Sequence, residues 1–323
     1  MTNKYDISET MDDILSSFVS QLGLQSTVLG RVVLVSPWGL VQDKFPEMMF
    51  HILLRGECYL GMGKSGKRLR KLEPGDFVLL PRGASHSLVS DLSAKVIPSD
   101  RVCYTTTNKH GDRFQKGTGK KAEFICGSFK LAGPNASLLI NSLPELVEFR
   151  AKGRERNRWI RSTLELLAYE VSSRSPGSTR LIKQLLDTLF VQILRFCSTN
   201  VANRNKGLFA AMQDPAMMRV ICKISDQYER PWTIDRLAKE TGFSRTSLAV
   251  KFQCTFGEGV ATFLRNHRIS CGRSLLEESK LSIKEIANRT GFNSSEVFIR
   301  NFERTYGVTP RKYRSQGCQV SDQ

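Results

Sequence analysis

None of the eight cysteines in this 323-residue chain stands in a C-x-x-C pair. In a chain of this length that argues against a disulfide scaffold or a zinc ribbon, and for reduced thiols. No apolar run approaches the ~18 residues of a membrane span. The opening, MTNKYDISETMDD, lacks the basic start and apolar core of a secretory signal. Acidic residues are in deficit: 31 Asp and Glu face 48 Lys and Arg, a net charge of +17. These absences lead to the expectation of a soluble, cytoplasmic protein with no membrane partner and a polyanionic one, nucleic acid first. The excess does not say where that partner sits. Residues 205–323 hold 19 Lys and Arg against 12 Asp and Glu, and residues 1–204 hold 29 against 19.

The most informative stretch is 281–314, LSIKEIANRTGFNSSEVFIRNFERTYGVTPRKYR. Ser282 and Glu285 have capping-box spacing. Ile283, Ile286 and Ala287 repeat at helical spacing. Gly291-Phe292 ends that helix, because glycine takes the left-handed conformation that turns the chain. Val297, Phe298, Ile299 and Phe302 form a second apolar stripe. Helix, glycine turn, helix is the plan whose second helix enters a DNA major groove. The plan recurs in 233–257, TIDRLAKETGFSRTSLAVKFQCTFG. Leu237-Ala238 matches Ile286-Ala287, Thr241-Gly242-Phe243 matches Thr290-Gly291-Phe292, and Phe252 and Gly257 match Phe302 and Gly307. The offset grows from 49 to 50 across the turn, which marks Asn293 as an insertion. Two copies joined by one helix, 260–278, fit two DNA readers better than a solenoid.

The earlier part of the chain has a different character. A helical stripe runs over 7–22. Val28–Val35 and Met48–Leu54 then read as strands, with Gly/Pro turns at 61–67 and Glu73–Asp76 and a short apolar run, Phe77–Leu80. This pattern predicts an antiparallel sandwich or barrel. A polar, basic loop, KHGDRFQKGTGKK, interrupts it before Glu123–Phe129 resumes strand character. Residues 156–172 and 178–197 read as an amphipathic hairpin, with Trp159, Leu164 and Leu167 lining the first helix. The stripe of Leu181, Ile182, Leu185, Leu186, Leu189 and Ile193 fits either a dimer face or packing within its own domain. Arg150, Lys152, Arg154, Arg156, Arg158 and Arg161 read as a solvated basic face, and 198–207 as a linker.

Gly75-Asp76-Phe77-Val78-Leu79-Leu80-Pro81-Arg82-Gly83-Ala84-Ser85-His86 resembles the second cupin motif, G-D-x4-P-x-G-x2-H. Phe50-His51-Ile52 with Arg55-Gly56 resembles the first-motif region of cupin domains fused to AraC-type regulators. Enzyme-type cupins place two His and a Glu in that first motif; here only His51 is in place. His51 and His86 are therefore candidates for two metal ligands, for the lining of a small-molecule pocket, or for hydrogen-bonded interior histidines. The Cys126-Gly127 step resembles that of related regulators, some of which sense oxidants, which makes Cys126 a redox candidate beside the alternative of an inert buried thiol.

The run Ile283-x2-Ile286-Ala287-x3-Gly291-Phe292-x5-Phe298-x3-Phe302-x4-Gly307-x2-Pro310-x2-Tyr313-Arg314, with its upstream partner and bridge, resembles the DNA-binding domain of AraC/XylS regulators over about 209–314. Two departures, Gly272 for the usual Ala and Gly259-Val260-Ala261 for the usual Pro, are expected to loosen the domain. The implied fold class is α+β: a cupin-like β-barrel with helices (1–150), a helical hairpin and linker (151–204), and an all-α domain with two helix-turn-helix motifs (205–318). In the first reader the candidate DNA contacts are Arg245, Thr246, Ser247, Ala249, Val250 and Lys251. In the second they are Ser294, Ser295, Glu296, Ile299 and Arg300, with Glu296 favoured as a helix cap. The resemblance implies a transcriptional regulator, not an enzyme, with double-stranded promoter DNA and RNA polymerase as partners, a homodimeric state, and a metal ion, small molecule or oxidant as the sensed signal. The alternative is a metal-dependent cupin enzyme carrying a DNA-binding domain, which the missing H-x-H opposes.

Overall fold

The computed structural model describes residues 14–63, 69–101, 106–107, 113–114, 118–133, 135–152, 158–173, 175–200 and 207–318. Ile7, Met11, Arg154, Arg156, the 64–67 part of the first turn, most of the basic loop and the 201–206 part of the linker lie outside the described residues.

In chain order the elements are α1 (Ile14–Ser20), β1 (Leu24–Val35), β2 (Gly39–Gln42), β3 (Met48–Arg55), β4 (Cys58–Met62), β5 (Leu69–Leu72), β6 (Phe77–Leu80), β7 (His86–Val89), β8 (Ile97–Pro98), β9 (Thr106–Thr107), β10 (Arg113–Phe114) and β11 (Lys121–Leu131). There follow α2 (Ala136–Ser142), β12 (Val147–Phe149), α3 (Arg158–Ser173), α4 (Ser178–Asn200), α5 (Gly207–Ala211), α6 (Pro215–Asp226), α7 (Ile234–Thr241), α8 (Arg245–Phe256), α9 (Val260–Glu278), α10 (Ile283–Arg289), α11 (Ser295–Tyr306) and α12 (Pro310–Cys318). Contacts group them into two compact units. One is Leu24–Leu131 with Leu143–Thr199; the other is the chain up to Gly23, Ala132–Ser142 and the chain from Asn200. Among the described residues no helix is long and apolar enough to cross a membrane.

The β-rich unit has a seven-stranded sheet, β12-β6-β3-β11-β1-β10-β9, and a five-stranded sheet, β5-β4-β7-β2-β8. Pairing is antiparallel except for β1 with β10 and β2 with β8. Side chains alternate along a strand. Leu34, Leu53, Val78 and Phe124 of the large sheet therefore share one core with Leu60, Leu72 and Leu88 of the small one. The opposite face of the large sheet carries Phe50 and Phe129, and Phe190 of α4 lies 5.1 Å from Phe129 between ring centroids. With both faces covered, β3 is buried at six successive positions. In β1 the register shifts between Val28 and Gly30, so Leu29 forms a bulge.

The hairpin expectations need one correction and one division. Leu186, Leu189, Phe190, Ile193 and Leu194 of α4 are buried, so that part of the stripe packs within its own unit, whereas Ile182 and Leu185 are half-buried and Leu181 is 45% exposed. Trp159 does not line α3 but is 76% exposed, with Tyr169 and Leu166 exposed beyond it.

In the helical unit, hydroxyl caps start the helices the sequence marks. Thr233 accepts from Arg236 N, and Ser244 from Ser247 N. Ser282 and Glu285 form the complete capping box, and Ser294 accepts from Val297 N. Gly242 and Gly291 hold φ of +78° and +77° at the two turns. Thr241 and Thr290 each return a hydroxyl to the carbonyl four residues back, at 2.7 Å. The bridge α9 reaches both readers. Phe263 meets Phe252 edge-on at 5.2 Å, while Ile269 and Leu276 join Ile286, Phe298 and Phe302 in one core. Two segments distant in sequence join this unit. Buried Asn135, just before α2, donates to Gln21 and accepts from Ser225 Oγ of α6, and Gln21 also donates to Asp226.

Candidate functional site

Among the described residues two places stand out for their chemistry. The first is the pair of second helices, α8 and α11. Only Leu248 and Phe252 of α8 and Phe298 and Phe302 of α11 are buried. Arg245, Thr246, Ser247 and Val250 on α8 and Glu296 and Arg300 on α11 are exposed. Val250 is an apolar side chain left 59% exposed on a basic helix, a feature that suits contact with a thymine methyl.

The remaining candidates differ. Ala249 is half-buried. Lys251 is half-buried too, paired with the Asp214 carboxylate and placed 5.5 Å from the Phe243 ring centroid. Arg245 lies 3.3 Å from both carboxylate oxygens of Asp235. Ser294 spends its hydroxyl on the helix cap, and Ser295 donates to Glu296 at 3.0 Å. Hydrogen bonds from Ser294, the helix backbone and Ser295 hold the Glu296 carboxyl below its ordinary range, as a first-turn carboxylate should be. Ile299 does not face fully outward: it packs partly against the second reader's core.

The second place is a cavity of about 380 Å³ inside the β-rich unit. It brings together the three residues that the motifs single out: His51 from β3, His86 from β7 and Cys126 from β11. His86 Nδ1 lies 2.9 Å from the Ala84 carbonyl, His51 Nε2 2.8 Å from His86 Nε2, and His51 Nδ1 3.1 Å from Cys126 Sγ. One fixed acceptor sets every bond direction. A carbonyl only accepts, so His86 carries its proton on Nδ1. Burial lowers the pKa of His86, and burial with the neighbouring His86 charge lowers that of His51 well below its ordinary value, so both rings are neutral. His86 Nε2 must then accept from His51 Nε2–H, and His51 Nδ1 must accept from the Cys126 thiol. The adjoining Gly127 has no side chain because the Phe50 ring occupies that space: a Cβ there would lie 2.2 Å from Phe50 Cζ.

This relay does not fit a metal centre. Two imidazole nitrogens on one tetrahedral zinc lie roughly 3.3 Å apart at ordinary bond lengths, and here the two Nε2 atoms are closer and share a proton. Among the described residues no group of three or more His, Cys, Asp or Glu is arranged to hold an ion. Nor is Cys58 a ready partner for Cys126. Burial first, then Asp76 and Cys126, push its thiol up to about 12.

Sequence reasoning missed Gln42, Ser99 and Asp100, which line the same cavity. They stand in polar stretches with no periodicity to mark them. It also missed Asp214 as the partner of Lys251, since the two are far apart in the chain.

Both places lie in regions that resemble known families. Residues 13–198 match the cupin family, and residues 237–316 match a helix-turn-helix domain family. The transcriptional regulator AlkR of Acinetobacter baylyi is 25% identical over 309 residues, covering 94% of this chain and 99% of its own. The transcriptional regulator MtrA of Neisseria gonorrhoeae is 28% identical over 312 residues, 95% and 99% of the two chains. The RCS-specific transcriptional activator RclR of Escherichia coli K12 is 25% identical over 312 residues, 96% and 99%. Among solved structures, fatty-acid-bound ToxT of Vibrio cholerae aligns with 90% of this chain and 94% of its own at 17% identity and a TM-score of 0.39. The DNA-binding domain of AdpA with target DNA aligns with 32% and 92% at 27% identity and a TM-score of 0.31. With the cupin match spanning more than half its length and the paired helix-turn-helix motifs behind it, the chain belongs to the AraC-type transcriptional regulators that carry a cupin domain.

Proposed function

We propose that α8 and α11 enter successive major grooves of one promoter duplex, about 34 Å apart, and that the state of the cupin cavity governs whether they do. The observation behind this is the pair of capped helices, each with an exposed outer face, on one shared bridge. Arg245 and Arg300 reach phosphate or guanine, Val250 and Ala249 meet thymine methyls, and Thr246, Ser247 and Ser295 add hydrogen bonds. A gel shift on DNA upstream of the gene tests this. Binding should be sequence-selective and should weaken with salt; salt-sensitive binding indifferent to sequence would oppose it.

The route from cavity to DNA is covalent. β1 carries the Leu29 bulge and β11 carries Cys126, and both residues line the cavity. Immediately before β1 and after β11 the chain joins the helical unit, where Gln21 and Asn135 bond to residues of α6. A ligand that shifts these two paired strands pulls on both anchors. A second input is oxidation. A peroxide transferring one oxygen atom to Cys126 leaves a sulfenic acid, releases water, and replaces the thiol donor at His51.

In this reading the protein works in the cytoplasm, acts as an activator through RNA polymerase, and has no enzymatic step. Its nearest enzyme-like feature, the histidine pair, is closed on itself by hydrogen bonds. Trp159, Leu166 and Tyr169 of α3 offer an exposed apolar face through which it forms a homodimer.

A further inference from the structure

The cavity's wall has a charge pattern that narrows what it accepts, and the argument rests on the reading of this cavity as the sensory site. Its body is apolar: Val32, Leu34, Met49, Leu88 and Phe124 face it. The protein carries 48 Lys and Arg, yet none of them lines this cavity among the described residues. Among the described residues one charged side chain does, Asp100, and it is exposed, whereas His51 and His86 are buried. The carboxylate therefore marks the solvent-facing end, and the relay marks the closed end.

The closed end has no imidazole donor to spare. The His86 Nδ1–H goes to Ala84, the His51 Nε2–H goes to His86, and His51 Nδ1 is an acceptor already facing the thiol. Near the mouth the Ser99 hydroxyl donates to Gln42 Oε1 at 2.7 Å. A carboxylate or sulfate group entering this space would lose its water shell and, among the described residues, meet neither a cation nor an unused ring N–H, and burying an anion in that way is strongly unfavourable. A cationic head avoids the cost by staying at the mouth beside Asp100, while its hydrocarbon body displaces water from the apolar wall.

We infer that the cavity takes a lipophilic organic cation, an alkyl- or arylamine in chemical class, with its apolar part against Leu34, Leu88 and Phe124 and its ammonium at Asp100, and that it rejects the corresponding carboxylate. The protein's overall positive charge pulls the other way, attracting anions to the surface, so the choice is made by the wall and shows at physiological salt, where exposed charges are screened beyond ~8 Å.

Three probes with one hydrocarbon body separate the cases: octylamine, 1-octanol and octanoate, titrated calorimetrically into the full-length protein. Octylamine should bind most tightly, 1-octanol less, and octanoate at least about tenfold more weakly than octylamine. Asp100→Asn should cost octylamine about three- to fivefold, the range of an exposed ion pair, and leave 1-octanol unchanged. Leu40→Phe, which narrows the cavity from a half-buried position, should weaken both. Octanoate binding as tightly as octylamine and lost in Leu40→Phe would overturn the charge rule while leaving the sensory reading standing. So would an octylamine-to-octanol ratio unmoved by Asp100→Asn. If none of the three probes binds, both the charge rule and the sensory reading fall.

Discussion

Phe298 lays its ring on the bare backbone of Gly272: a Cβ built there would lie 2.5 Å from Phe298 Cε2 and 2.9 Å from Cζ. The glycine that sequence reasoning marks as a weak point of the bridge is the seat of the second reader. Gly272→Ala would gain ~1 kcal/mol of helix propensity and lose about 1–3 kcal/mol to overpacking. The expected outcome is a lower unfolding midpoint. Gly272→Ala combined with Phe298→Leu should be less destabilised than the two single effects summed, as a double-mutant cycle in urea would show.

Lys251 is held by Asp214, which also caps α6 by accepting from Ala216 N and Met217 N. Asn caps as well as Asp does. Asp214→Asn should keep the helix and release Lys251 toward phosphate. DNA binding should tighten severalfold, and the slope of log K against log salt should steepen by ~0.9, one more neutralised phosphate. Fluorescence anisotropy across a salt series measures both.

Burial first, and the Arg268 charge next, lower His267 from its usual 6.5 to about 4. Its Nε2 has no hydrogen-bond partner among the described residues. Because the folded state binds this proton less readily than the unfolded chain, stability is fully present above about pH 6.5 and falls with pH down to about 4, below which the loss is complete. The term is on the order of 3 kcal/mol. His267→Phe should flatten that part of the pH–stability curve relative to the parent, which cancels the contributions of His51 and His86 that have the same sign.

The direction assigned to the Cys126–His51 bond predicts unequal effects of two small changes. Cys126→Ser keeps a donor for His51 Nδ1 and should cost little. Cys126→Ala leaves a buried acceptor unpaired and should cost about 1–2 kcal/mol more in urea unfolding.

Trp159→Lys with Leu166→Glu places charges on the exposed face of α3. Sedimentation should report a dimer for the parent and a monomer for the double variant, with each protomer's melting unchanged.

Much of this was legible in the residues. The two readers could be read because their caps, glycine turns and apolar stripes are local, and the structure forms a hydroxyl cap at Thr233 and the capping box at Ser282 and Glu285 where the two motifs begin. The meeting of His51, His86 and Cys126 was only half legible. The motifs placed two histidines in a barrel, but that Cys126 stands opposite both Gly30 and His51 depends on strand register. The roles of Gln21, Asn135 and Asp100 were not legible, since each acts through a partner or a cavity distant in sequence. Trp159 misled for the opposite reason: helical spacing reports that a face is apolar, not that another surface covers it.

The central claim is that α8 and α11 read one duplex together. The most direct measurement is a base-methylation footprint on the bound promoter, repeated with half a helical turn inserted between the protected patches. Two major-groove patches about 10 base pairs apart, with the Arg245→Ala variant losing one, the Arg300→Ala variant losing the other, and the insertion abolishing tight binding, is the predicted result. A single patch, or binding indifferent to the insertion, would contradict it.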